Sequence, residues 1–354
     1  MRSPLHLCNA SAMTTQRMLG LDALRAAAIL AVLASHFPFV IPMPQEAQTV
    51  LMFLGKSGVA AFFALSGFLV GGIALRTVRT PGDAWTFWTR RGYRTLPAAI
   101  AAGLLWSLAG WPGLREFAAT LTFTRWLWSP MEGSWFGPYW SLAVEEWAYL
   151  LLPALVLALR ISRDPLPGLI TAWVALVIWR EGAVWFWDLG GDMSLHTTLL
   201  RLDAICAGAV AAAAAPRLTP RMRGALALCG AMGIMWLHFA VEPDAWPQGA
   251  LMPALFALTI PALAAWRPRG ESLTWQVTLS IAALSYSLYL VHLPIFMHVS
   301  EWVPGPRPLV ALALTWLAAM ALRHWVELPF LTLRDRRPRS WPASNAAASS
   351  LGRG

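Results

Sequence analysis

The chain has 354 residues, 57% hydrophobic and 13% charged, with 21 Trp and a mean hydropathy of +0.54. That excludes an ordinary soluble domain, in which about a quarter of residues are charged. The net charge of +9 is almost wholly arginine, with Lys56 the single lysine, and in a membrane protein such an excess reads as cytoplasmic loop charge rather than a nucleic-acid surface.

Residues 1–18 hold no apolar region followed by a cleavage site, so they read as a leader without a signal peptide, and Met13 or Met18 is a candidate start. The first apolar stretch, LGLDALRAAAILAVLASHFPFV at 19–40, is long enough to cross a bilayer, since ~20 residues at ~1.5 Å rise span the hydrocarbon. It carries Asp22, Arg25 and His36, residues costly in lipid that mark an internal site. Arg25 and His36 are eleven residues apart, which returns them to within ~20° of one helix face, about 16 Å apart along the axis. An ion pair between Asp22 and Arg25 is the simplest role for the aspartate.

Further apolar runs at 57–75, 94–112, 140–160, 167–187, 196–214, 222–240, 248–266, 277–298 and 307–327 complete a predicted bundle of about ten transmembrane helices. The run GVAAFFALSGFLVGG is rich in small residues, which lets helices approach closely and also leaves room for a thin ligand arm. Arg91 and Arg94 open the third run at a spacing that shares a helix face, and paired guanidinium groups suit phosphate as well as a loop-end topology signal. The stretch 113–139 is too interrupted to span; LTFTRWLW within it reads as a short interfacial or re-entrant helix and WSPMEGSWFGPYW as loop. Most of the tryptophans read as interfacial belt.

Most arginines between the spans fall on one side, at 17, 76–91, 160–163, 217–223, 267–269 and 334–339, while the opposite loops hold acidic residues with only Lys56, Arg115, Arg125 and Arg307 as basic ones. The positive-inside rule therefore places both termini in the cytoplasm. Arg25, Arg91, Arg94, Arg323 and Glu327 then lie toward the cytoplasm, and His36, Glu145, Arg201, Asp203 and His292 toward the outside. Counting from helix ends puts His36 and Glu145 at matching depth, ~6–8 Å in, where a carboxylate can fix an imidazole as a general base. Arg201 and Asp203 read as neutralising charge within the bundle, and His292 as a structural partner rather than a second base. The segment from Arg334 onward is basic, then small and polar, and reads as a disordered tail. Cys8, Cys206 and Cys229 share no metal or disulfide spacing, and no metal is expected.

Seven segments, LGLDALRAAAILAVLASHF, GVAAFFALSGFLVGG, RRGYRTLP, YWSLAVEEWAYLLLP, RLDAICAGA, SYSLYLVHLPI and HWVELPF, occur in the order that resembles the acyltransferase 3 family of bacterial membrane O-acyltransferases. The likeness runs from 19 to about 333. The family's basic residue, ten intervening residues and His is met by Arg25 and His36, its Arg-x-x-Arg by Arg91 and Arg94, and the Glu of its Ser-Leu-x-Val-Glu segment by Glu145. The sequence departs from the family at WVELPF, where Glu-Lys-Pro is commoner.

The resemblance implies a multi-pass protein of the bacterial inner membrane that transfers an acyl group, usually acetyl from cytoplasmic acetyl-CoA, to a hydroxyl of a glycan or related acceptor. In that scheme Arg91 and Arg94, with Arg25 and Arg323, hold the CoA phosphates, and His36 with Glu145 deprotonates the acceptor or first takes the acyl group itself. A succinyl or longer acyl group is an open variant. No esterase extension is expected after the last span. A transporter or flippase using the same charges as a proton relay is the alternative function class.

Overall fold

A computed structural model describes residues 18–110, 112–127, 137–160, 162, 164–187, 197–240, 246–267, 272–302 and 307–336. The leader expected at 1–18 lies outside them but for Met18, as do 128–136 of the predicted outer loop. All regular structure among the described residues is helical. Among the described residues, eight helices are long and apolar enough to cross a membrane.

Helix α1 (Leu19–Ser35) is the hub. It packs against α2 (Gln45–Ser66), α9 (Trp246–Ala265) and α10 (Leu273–Trp302). A helix with neighbours on several sides must be apolar nearly all round, which its sequence satisfies except at Asp22 and Arg25. Helix α2 begins 12 residues before the apolar run expected at 57 and continues through a π turn, Gly67–Gly71, into Gly72–Thr77. Small residues let it approach its neighbours: a Cβ on Gly58 would meet the Ala28 carbonyl at 2.6 Å, and one on Gly67 would strike the Ile205 backbone of α7 (Leu202–Ala214). The small-residue run therefore serves helix contact.

Helix α3 (Pro81–Ala109) starts with a reciprocal cap, in which the Thr80 hydroxyl accepts from the Asp83 N–H and the Asp83 carboxylate accepts from the Thr80 N–H at 2.8 Å. Its charged first half, with Arg90, Arg91 and Arg94, hid its length in the sequence. The short interfacial or re-entrant helix predicted at LTFTRWLW is corrected. Helix α4 (Leu114–Leu121) ends where that segment begins, and 122–127 form turns, with Phe123 at φ 57° and Trp126 fully buried.

Helices α5 (Tyr139–Leu159), α6 (Pro165–Phe186) and α8 (Pro220–Ala240) follow their predicted runs, as does α11 (Arg307–Leu322). The last rod runs on through a π turn, Arg323–Glu327, into Leu328–Arg336, three residues into the expected tail; 337–354 lie outside the described residues.

Arginine contacts gather the connecting segments at one end of the bundle. Arg90 pairs with Asp335 at 3.2 Å, Arg217 with Asp164 at 2.6 Å, and Arg160 donates to the Val78 and Leu75 carbonyls. His36 lies at the opposite end, where α1 gives way to the turn Phe37–Phe39.

Candidate active site

A cavity of about 470 Å³ opens among α1, α2, α3, α5 and α10. At its arginine-rich end stand Arg25, Arg91, Arg94 and Arg334; at its inner end stand Phe62, Ser141 and Tyr289. Arg91 and Arg94 are three residues apart on α3, so the helix turn that pairs them aims both into the same space. The predicted ion pair of Arg25 with Asp22 forms at 2.7 Å, three residues apart on α1.

Glu145 lines this cavity too. Its carboxylate accepts from the Ser66 hydroxyl at 2.6 Å and from the Tyr149 hydroxyl at 3.1 Å, and Tyr149 also donates to Ser66 at 2.9 Å. The Arg91 guanidinium lies 5.6 Å from the Tyr149 ring centre. Two hydroxyl donors and nearby arginines are how a buried carboxylate is made tolerable. Tyr149 is one helical turn beyond Glu145, a spacing that sequence reading could have used. Ser66 gave no signal beyond belonging to a run of small residues.

The matched depth of His36 and Glu145 is corrected. Gly55 packs on Ser35 and Gly58 on Ala28 and Ala31, which fixes α1 and α2 as antiparallel neighbours. Ser66, eleven residues past Gly55, therefore sits ~16 Å along the axis from Ser35, at the level of Arg25. Glu145, bonded to Ser66, shares that level. The depth count failed because helix ends do not lie in one plane.

His36 is oriented by the backbone instead. Its Nδ1 is 2.8 Å from the Val32 carbonyl and 3.2 Å from the Ser35 hydroxyl. A carbonyl only accepts, so Nδ1 carries the hydrogen and Nε2 keeps the lone pair that a base needs. Its ring meets His292 edge-on, with centroids 4.8 Å apart, and the His292 ring lies 5.7 Å from that of Tyr289. Tyr289, whose hydroxyl is 2.6 Å from that of Ser141, thus joins the cavity's inner end to the two histidines.

Arg323 is not brought to the cavity lining. It donates to the Ala283 carbonyl at 2.6 Å and pairs with Glu327 at 3.3 Å, within the π turn. Within the bundle Asp203 pairs with Arg180 at 2.6 Å, and Arg201 donates to the Gly249 carbonyl at 2.6 Å. Arg180, buried on α6, was missed because it lies 23 residues away in an apolar run. Arg334 was missed because its segment read as tail.

The chain matches the sequence model of a family described as an acyltransferase domain over residues 18–322. Curated relatives include the O-acetyltransferase OatA of Staphylococcus aureus (strain NCTC 8325 / PS 47), 28% identical over 352 residues, covering 88% of this chain and 56% of the relative. The putative O-acetyltransferase SAS0844 of Staphylococcus aureus (strain MSSA476) is 25% identical over 361 residues, covering 88% of this chain and 57% of the relative. The chain spans little more than half the length of these relatives. No solved structure matches it.

Proposed function

We propose, because the chain belongs to the acyltransferase domain family, that it is a membrane O-acyltransferase moving an acetyl group from cytoplasmic acetyl-CoA to a hydroxyl of a glycan or other envelope or secondary-metabolite acceptor. The observation that carries this reading is the cavity, with four arginines at one end and Tyr289 at the other, one ring away from the histidine pair. Arg91 and Arg94, with Arg25 and Arg334, hold the phosphates of CoA by charge-assisted hydrogen bonds. Arg323 acts at a distance, by tying α11 to α10. The thioester arm extends along α1 toward Tyr289, and the hydroxyls of Ser66 and Tyr149 with the Glu145 carboxylate line its way.

His36 works as the base through Nε2. The acceptor O–H breaks and its proton goes to His36, the acceptor oxygen bonds the thioester carbon, and the C–S bond breaks. The thiolate of CoA then takes the proton from His36. In the covalent variant Nε2 attacks the thioester carbon and the C–S bond breaks, releasing the thiolate of CoA; the acceptor oxygen then takes the acyl group from Nε2 while its proton passes to that thiolate. Glu145 contributes from the donor side, holding Ser66 and Tyr149 in register with Arg91, and does not touch His36.

The same reading sets the chain in the bacterial inner membrane with about ten spans and both termini cytoplasmic. Family membership favours it over a transporter. The test is mass spectrometry of envelope glycans and small metabolites with and without the gene. A hydroxyl acetylated only when the gene is present supports the reading and names the acceptor. Purified protein that translocates glycan without consuming acetyl-CoA overturns it.

A further inference from the structure

The mechanism uses one of two imidazoles that meet beyond the cavity. His292, on α10, is fully buried. Its Nδ1 lies 2.8 Å from the Tyr289 carbonyl, so this nitrogen carries the hydrogen, as in His36. Nε2 is therefore an acceptor, and it has no hydrogen-bond partner. Leaving a buried acceptor unpaired costs about 1–3 kcal/mol, and such exceptions concentrate where a group waits for a partner.

The His292 and His36 rings meet edge-on, with centroids 4.8 Å apart at 69°. Neutral His36 has no hydrogen on Nε2 to give. Protonated His36 does. The unpaired acceptor in the resting protein thus matches a donor that exists only once His36 has taken a proton.

Resting on the acyl-transfer reading, we infer that His292 is a positioning residue for His36. It holds the His36 ring edge-on, and its lone pair receives the new N–H of the imidazolium formed as the acceptor attacks. His292 remains neutral throughout. The proton stays on His36 until the departing thiolate of CoA takes it. An interaction made only after proton transfer lowers the barrier without tightening the binding of either substrate.

The test compares His292→Phe and His292→Gln in the full chain, reconstituted in proteoliposomes. Phe keeps a ring but removes both the lone pair and the Nδ1–H given to the Tyr289 carbonyl, so thermal stability is measured beside turnover. Release of CoA thiol from acetyl-CoA should fall about 100-fold in kcat for His292→Phe, with KM for acetyl-CoA unchanged. Ethoxycarbonylation of His36 by diethyl pyrocarbonate, followed by mass spectrometry, should slow in the same variant. Gln, which returns an acceptor near the position of Nε2, should recover part of both. Folded His292→Phe with wild-type kcat overturns the inference, as does lower stability with unchanged turnover per folded molecule. If His292→Phe does not fold, His292→Leu, which also lacks the lone pair, is read by the same two outcomes in kcat. His36→Ala separates this from the parent reading: retained turnover in that variant refutes His36 as the base, whereas inactive His36→Ala beside normal His292→Phe refutes only the role of His292.

Discussion

His36 owes its tautomer to a carbonyl of its own helix, and this changes what its neighbours are expected to do. A base fixed by Val32, at 2.8 Å, needs no carboxylate to orient it. His36→Ala should cut acyl transfer roughly 100- to 10,000-fold, the range for a general base, while folding and acetyl-CoA binding stay intact. Turnover per folded molecule is the measurement, and a near-normal value would remove His36 from the chemistry. Glu145→Gln should act differently, because the carboxylate serves Ser66 and Tyr149 at the level of Arg25. Its loss should raise KM for acetyl-CoA at least as much as it lowers kcat, and steady-state kinetics would reveal the reverse pattern if Glu145 served His36 after all. Arg91 and Arg94 form the third residue-scale case. Each charge-assisted contact to phosphate is worth about 1.5–3 kcal/mol, so removing both should weaken acetyl-CoA affinity at least tenfold, even allowing for the exposure of Arg94. Calorimetry on the folded double alanine variant reads this directly, and unchanged affinity would move the donor site elsewhere.

Among the helices, prolines decide where side chains must come to help. A proline has no N–H, so the carbonyl four residues earlier loses its helical partner, and in a bilayer some neighbour must replace it. Pro153 frees Tyr149, whose carbonyl accepts from the Trp88 indole at 3.2 Å; Pro294 frees Leu290, whose carbonyl accepts from Trp106 at 3.2 Å. Pro253 frees Gly249, and Arg201 and Arg180 both donate to it, at 2.6 and 3.3 Å. These two tryptophans are thus structural donors and not belt, though nothing in the sequence distinguishes them from the exposed Trp85 or Trp185. Trp106→Phe should cost about 1–3 kcal/mol of stability by orphaning the Leu290 carbonyl. Adding Pro294→Ala restores a backbone N–H, so the loss should shrink in the double variant, and a double-mutant cycle of melting temperatures tests it. Equal losses in both backgrounds would mean that packing alone is involved. The same physics marks the limit of sequence reading here. Apolar runs located the rods, because lipid demands them. They missed the first 12 residues of α2 and the charged half of α3, where polar side chains lie on helices beyond the apolar stretch. They also could not give the offset between α1 and α5, which the contacts of Gly55 and Gly58 with α1 set through α2 and which separates Glu145 from His36.

The whole molecule is polarised from end to end. Arg90, Arg160 and Arg217 gather loop segments at the end where the cavity opens, and His36 lies at the other, beside the short link from Phe39 to Gln45. A donor whose phosphates bind at the arginine end and an acceptor that meets His36 therefore arrive from opposite faces, and only the acyl group needs to travel between them. Positive charge is retained on the cytoplasmic side during insertion, so the proposed orientation puts the arginine end in the cytoplasm. Two exposed positions make this testable. Gly82, near the start of α3, is exposed and a side chain there would meet only the Thr80 hydroxyl, at an ordinary 3.7 Å, and Glu46 lies in the first turn of α2 at the His36 end. In a background with Cys8, Cys206 and Cys229 replaced by Ser, a membrane-impermeant maleimide added to intact cells should label Glu46→Cys. It should label Gly82→Cys only after the membrane is permeabilised. Labelling of Gly82→Cys from outside would invert the bundle. It would then expose the arginine-lined mouth to a compartment without acetyl-CoA, and the direction of acyl transfer would fail together with the topology.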